Sequence, residues 1–194
     1  MTCFKKLFRW RRIRSLPKAQ KGVSAVEFAL IAPLMLLMYA GCVELSFMMQ
    51  LDRKVTTSAA TLGDLTARAD VVTNDDLDDI LEASRMIFQP NDITVARMRI
   101  SSLKEDSGKV IVDWSDGCNL TPYSDDQEMT VPANLVPVGG SVILAEIEYD
   151  YRSVIGGFFT SGQTLNDRFY LRPRRVDLVV RQRDGAFSCK HTAP

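Results

Sequence analysis

Gly22-Val23-Ser24-Ala25-Val26-Glu27-Phe28 opens an apolar run that lasts to Val43. From Phe28 to Val43 there are 16 residues and no charge. At helical rise that is ~24 Å, short of a ~30 Å hydrocarbon core. The uncharged flanks Val23–Val26 and Leu45–Leu51 extend it to a full span. Glu27 and Glu44 bracket the run and fall ~25 Å apart along a helix, near opposite faces of a bilayer. A carboxylate in a membrane helix costs roughly 2.5–3.5 kcal/mol near the centre and less near an end, so one that is kept there marks a use. Pro33 removes one backbone donor from the span and is a site for a kink.

Working outward, the segment before Gly22 is basic. Residues 1–21 hold Lys5, Lys6, Arg9, Arg11, Arg12, Arg14, Lys18 and Lys21 and no acid, so the zero net charge of the 194-residue chain hides a body of net −8. Basic residues abutting an apolar span follow the positive-inside pattern, which places the N-terminus in the cytoplasm and the acidic body across the membrane. A nucleic-acid arm has similar composition. Direct contact with a membrane span argues against that partner.

A Gly at the end of a basic leader with a Glu five residues beyond it resembles a class III, prepilin-type signal. The wider run from Gly22 to Leu34, continuing through Gly41-Cys42-Val43-Glu44, resembles the TadE/TadF-type minor pilins (pseudopilins) of tight-adherence (Tad/Flp) pilus systems. The likeness is specific from Gly22 to about Leu51, and Tyr170-Leu171-Arg172-Pro173-Arg174-Arg175 has a more distant look of the same family. The resemblance implies cleavage by a prepilin peptidase between Gly22 and Val23. It also implies assembly roles for Glu27, Phe28 and Glu44, and partners among other pilin subunits and the inner-membrane pilus-assembly machinery.

Beyond Glu44 the helical code continues. Leu51, Val55, Ala59, Leu62, Leu65 and Ala69 recur at three- and four-residue steps, predicting one helix from about Ser24 to Ala69. Thr73-Asn74-Asp75-Asp76 reads as a helix start. Leu77, Ile80, Leu81, Ser84 and Phe88 share a face of a second helix over 75–88. From Asp92 the period switches to two, predicting strands over 93–100, 109–114, 142–151 and 175–182, with a turn at 105–108 and a long loop over 115–140 containing a short helix near Pro132–Leu135. The expected fold is α+β: a long N-terminal transmembrane and amphipathic helix, then a small domain with a mainly antiparallel four-stranded sheet packed on helix. The expected domains are a leader over 1–22, a membrane span over 23–50, an amphipathic extension over 51–70 and a periplasmic domain over 71–194. Between the last two strands Ile155-Gly156-Gly157-Phe158-Phe159 is apolar. Ile155, Phe158 and Phe159 are either local core or a contact surface.

Of four cysteines, Cys3 lies in the basic head, Cys42 in the span, and Cys118 and Cys189 in the body. In an exported body the last two sit in an oxidising compartment and can bridge.

Catalytic chemistry has little to stand on. The lone histidine is His191, which leaves no Ser-His-Asp triad and few zinc sites. No phosphate-binding glycine loop occurs. Asp75, Asp76, Asp78 and Asp79 lack the spacing of a calcium loop. Asp113, Asp116, Asp125, Asp126 and Glu128 cluster as candidate paired carboxylates, and a loop this polar favours solvated acids instead. No enzymatic activity, catalytic residue, metal site, cofactor or small-molecule substrate is expected. Two other readings stay open to the sequence: a single-pass envelope scaffold or ligand-binding sensor, and a lipoprotein acylated at Cys42 after Tyr39-Ala40-Gly41.

Overall fold

The computed structural model describes residues 20–132, 134–153 and 162–189. The chain divides into two units, Met1–Cys42 and Val43–Pro194. The elements in order are α1 (Gln20–Arg68), β1 (Val71–Val72), α2 (Asn74–Met86), β2 (Ala96–Asp106), β3 (Lys109–Cys118), β4 (Ser141–Tyr151), β5 (Gln163–Leu171) and β6 (Val180–Arg181).

Helix α1 continues through Pro33. Its described residues up to Cys42 bury none of their large apolar side chains. From Leu51 onward the three-and-four spacing selects one face, and Leu51, Val55, Ala59, Leu62 and Ala67 are buried in the core of the second unit. Each large apolar group removed from water there contributes about 1.5–3 kcal/mol. Gly63 sits on the same face, where an added Cβ would come within 2.4 Å of Leu171 Cδ1. The helix tolerates a weak helix former at that point because β5 approaches so closely.

Thr73 caps α2. Its hydroxyl accepts from the Asp76 amide at 3.2 Å, and the Asp76 carboxylate accepts from the Thr73 amide at 3.0 Å. This reciprocal box satisfies two donors that a helix start leaves open. Hydrogen bonds from the Thr73 side chain, then its amide, hold the Asp76 carboxyl below its ordinary range. Leu77, Leu81, Ser84 and Arg85 of α2 are buried.

Four strands form an antiparallel sheet in the order β3-β2-β4-β5. Period-two alternation gives the sheet two different faces. Ala96, Met98 and Ile100 of β2 and Ile143, Ala145, Ile147, Tyr149 and Tyr151 of β4 join the main core with α1 and α2. On the other face Arg97 binds Glu148 at 3.0 Å and Asp150 at 2.5 Å, and Arg99 binds Glu146 at 2.7 Å. A second, smaller core of Leu103, Val112 and Leu144 follows the register shift between Ser102 and Leu103. It is covered by Tyr123, Met129 and Val131. The outer edge of β3 is not open. Val112 and Met129 amides donate to Gln127 and Val110 carbonyls at 3.0 and 2.8 Å, a pairing that blunts an edge strand. The β2–β3 turn is Ser107-Gly108, both with positive φ (56° and 84°), the geometry of a two-residue hairpin.

One strand expectation is overturned. The fourth strand of the sheet is Gln163–Leu171, not 175–182. After Pro173 the chain crosses the end of α1, where the Arg174 amide donates to the Ala67 carbonyl at 2.8 Å. Only Val180–Arg181 is extended, in a two-stranded parallel pair with Val71–Val72. The apolar residues that imitate a strand there are divided: Val179 is buried, whereas Val180 is 52% exposed. β5 escapes the sequence pattern because an outer strand with one wet face reads Gln-Thr-Leu-Asn-Asp-Arg, with Leu165 alone buried. The expected short helix near Pro132–Leu135 is not among the described helices; Ala133 lies outside the described residues, and the Leu135 amide donates to the Pro132 carbonyl at 3.3 Å.

Candidate functional site

Gly22, Val23, Glu27 and Phe28 lie in the first two turns of the apolar part of α1, all exposed. The helix is long and apolar enough to cross a membrane. Its most apolar 18-residue window has mean hydropathy 2.0 and no buried residue. It fits a single-pass membrane anchor.

Glu44 has a different environment. It belongs to the second unit and is 1% exposed. Tyr151, at the end of β4, donates its hydroxyl to Glu44 Oε1 at 2.8 Å. Burial first, and this bond second, push the Tyr151 phenol up to about 12. The structure thus separates the two glutamates expected to share a role: Glu27 is open, and Glu44 is packed into the fold. Nothing in the spacing of the sequence links Glu44 to Tyr151, 107 residues on.

Beside this junction an open cavity of about 330 Å³ is lined by Phe47, Leu51, Lys54, Asn91, Tyr149 and Arg152, among others. The Lys54 ammonium is spent on the Phe88 and Gln89 carbonyls and Asn91 Oδ1, at 3.2, 2.9 and 2.8 Å. It ties the end of the α2 segment to α1 rather than waiting for a ligand.

Cys118, the last residue of β3, and Cys189 are joined by a disulfide, with Cα atoms 5.4 Å apart. The Arg85 guanidinium, 2% exposed, donates to Cys118 Sγ at 2.7 Å. Burial lowers the pKa of Arg85, opposed by the charges of Glu82 and Asp78. Sequence reasoning overlooked Arg85. The signal was present, since Leu81 and Arg85 are four residues apart and therefore share the apolar face of α2.

The acids of 113–128 are not a carboxylate pair. Asp113 binds Lys104 at 2.7 Å, Asp116 binds Arg181 at 2.8 Å and Glu128 binds Lys109 at 2.8 Å. Nor is Asp116 solvated as expected, being 7% exposed. Its partner Arg181 also reaches Asn74 Oδ1 and the Val72 carbonyl, at 2.5 and 3.1 Å. The cluster is one of structural ion pairs. Among the described residues no group of three His, Cys, Asp or Glu side chains has metal-binding geometry. Asp75 and Asp76 flank the N-terminus of α2, where acids oppose the helix dipole favourably. The expected contact residues Ile155, Phe158 and Phe159 lie outside the described residues.

Residues 22–62 match the model of the TadE-like protein family. That family is structural rather than enzymatic and points to a Tad-pilus-related protein with other pilus subunits as partners. No curated protein and no solved structure matches the chain.

Proposed function

We propose that this chain is a minor pilin of a tight-adherence pilus, cut by a prepilin peptidase between Gly22 and Val23. In this reading residues 1–22 are the cytoplasmic leader. Residues 23–50 are the inner-membrane span, 51–70 its amphipathic extension and 71–194 a periplasmic domain. The observation that carries it is the TadE-like match, which begins at Gly22, the residue that ends the basic leader. The exposed apolar surface of α1 before Cys42 supports a lipid or helix-bundle environment for that half. A body this large beside one helix does not suit dense packing along a thin fibre. It suits a subunit that primes, caps or regulates assembly. Glu27, and Phe28 beside it, act in docking to other subunits. A carboxylate in hydrocarbon needs a positive partner, and cleavage creates one in the new amine of Val23.

N-terminal sequencing of the membrane-extracted protein tests the reading. A start at Val23 is expected, and Gly22→Phe should leave the uncut form in the membrane. A start at Met1 in the parent protein favours an envelope scaffold, for which the open cavity beside Phe47 would be the ligand site. An acylated Cys42 favours the lipoprotein. A Gly22→Phe variant shortened by the same amount as the parent removes the pilin reading.

A further inference from the structure

Arg85 is a poor match for its surroundings. Its guanidinium is buried against a neutral disulfide, with Nη2 2.7 Å from Cys118 Sγ and 3.6 Å from Cys189 Sγ. Its Nε is buried without a partner among the described residues. The Glu82 carboxylate stands 4.0 Å from Nη1 and is itself partly exposed. Asp78 acts from further along the same helix. On β3, Asp116 is occupied by Arg181 at 2.8 Å. A buried charge is stable only when well paired. Opening the disulfide would place a closer anion there than Glu82 at 4.0 Å, a Cys118 thiolate within hydrogen-bond distance of the cation. The two sulfurs also differ in access, since Cys118 is 0% exposed and Cys189 is only partly buried.

We propose that Arg85 makes Cys118–Cys189 a directed thiol–disulfide pair, in which Cys189 is the sulfur that exchanges with outside thiols and Cys118 is the internal, arginine-stabilised thiolate. During closure the Cys189 thiol loses its proton to water, and its thiolate attacks one sulfur of a small-molecule disulfide such as glutathione disulfide. The Cys189–glutathione bond forms, the glutathione S–S bond breaks and one glutathione leaves as a thiolate, which takes up a proton. The Cys118 thiolate then attacks Cys189 Sγ. The Cys118–Cys189 bond forms and the Cys189–glutathione bond breaks. Its electron pair leaves on the second glutathione sulfur, which takes a proton from water. Two cysteine thiols are oxidised and one glutathione disulfide is reduced. Opening by an external thiolate runs the same path backwards, with Cys118 as leaving group. Arg85 is a positioning residue for both directions.

The experiment uses the detergent-solubilised full chain with Cys3→Ser and Cys42→Ser. It is reduced under native conditions, mixed with glutathione disulfide and quenched in acid at intervals. Mass mapping should find glutathione first on Cys189. Adducts appearing first on Cys118 overturn the proposal. The closure step should reach half its maximal rate below about pH 7.5, the range of thiols beside a cation. A half-maximum at about 8.5 or above, the value of an ordinary thiol, overturns it. Arg85→Met should close about threefold or more slowly at about pH 7, because its thiolate fraction falls. Above about pH 9 it should close faster than the parent, because a thiolate of higher pKa is the better nucleophile. A folded Arg85→Met with the parent's pH profile overturns the role of Arg85. Arg85→Lys should keep the low half-maximum. If Arg85→Met fails to fold, the parent profile and the Arg85→Lys profile decide.

Discussion

Between Gly22 and Cys42 the large apolar side chains of α1 lie open, Phe28 at 69% and Leu30 at 75%, whereas Leu51, Val55 and Leu62 further along are no more than 4% exposed. Each stretch is flanked by one of two glutamates. Glu27 is exposed, and Glu44 is 1% exposed with the Tyr151 hydroxyl on it. An apolar pattern says that a helix face avoids water. It does not say which phase replaces the water. For the second half that phase is the sheet of its own chain. Among the described residues, the large apolar side chains of the first half stay exposed, which fits a single-pass anchor. The same residue type therefore does two jobs. Glu44 is a buried acceptor that fastens the end of β4 to α1. Glu27 is exposed in the unit that ends at Cys42.

The strongest way to break this contrast is to weaken one half alone. Cys118 and Cys189 close a loop with a sequence separation of 71. On the chain-entropy model the bridge contributes about 3–5 kcal/mol. The double variant Cys118→Ser/Cys189→Ser should lose stability of that order in denaturant unfolding of the detergent-solubilised protein. Its partition into membrane should stay at the parent's value. Equal loss of membrane partition would show that the first half of α1 depends on the folded body, against the contrast.

A smaller effect is expected at Tyr151. Its phenol is held near 12, above the ordinary value close to 10, by burial and by the bond to Glu44. A folded pKa raised above the unfolded one means the folded state prefers the protonated phenol. That stability is fully present below pH ~10 and is lost as pH rises towards ~12. Tyr151→Phe removes both the hydrogen bond and this dependence. It should cost about 1–2 kcal/mol at neutral pH, leaving the buried carboxylate short of a donor. It should also flatten the part of the stability loss between about pH 10 and about pH 12 that the parent shows. If the two proteins lose stability in parallel across that window, Tyr151 is not the group responsible.

How much of this was legible depended on whether a residue's partner lies nearby in sequence. The α1 face is written in Leu51, Val55, Ala59 and Leu62, each one turn from the next, and the helix follows it. The cap of α2 is written in Thr73 and Asp76, three residues apart. β4 was legible because it is rich in β-branched and aromatic residues and alternates cleanly at its end. β5 was not, because an outer strand needs few apolar residues. Its membership is set by pairing with β4, from Ile143↔Leu171 to Tyr151↔Gln163. The false strand over 175–182 is the converse case: an apolar stretch whose Val179 fills the core, its carbonyl taken by the Trp114 indole at 2.8 Å, without joining the sheet. Glu44–Tyr151 and Arg85–Cys118 are contacts across 107 and 33 residues. No local code announces them. The sequence groups Glu44 with Glu27 because it shows only that both stand at the ends of an apolar run.

The smallest effect on the folded body, and the sharpest test of the contrast, belongs to Glu27. The side chain is exposed and lies in the unit that ends at Cys42. Glu27→Gln keeps the shape and should shift the unfolding free energy of the body by less than about 0.5 kcal/mol, as surface changes do. The parallel change Glu44→Gln touches a buried hydrogen-bonded group and should cost about 1–3 kcal/mol. Assembly should rank them the other way. If Glu27 meets the Val23 amine of its own or a neighbouring subunit after cleavage, neutralising it removes a charge pair in hydrocarbon, where few other partners exist. Cells carrying Glu27→Gln should make a stable, processed protein and few pili. Those carrying Glu44→Gln should lose pili only as far as the protein itself is lost. Normal piliation with Glu27→Gln would mean that its carboxylate rests at the lipid interface without a partner, and that α1 before Cys42 is an anchor and not an assembly surface.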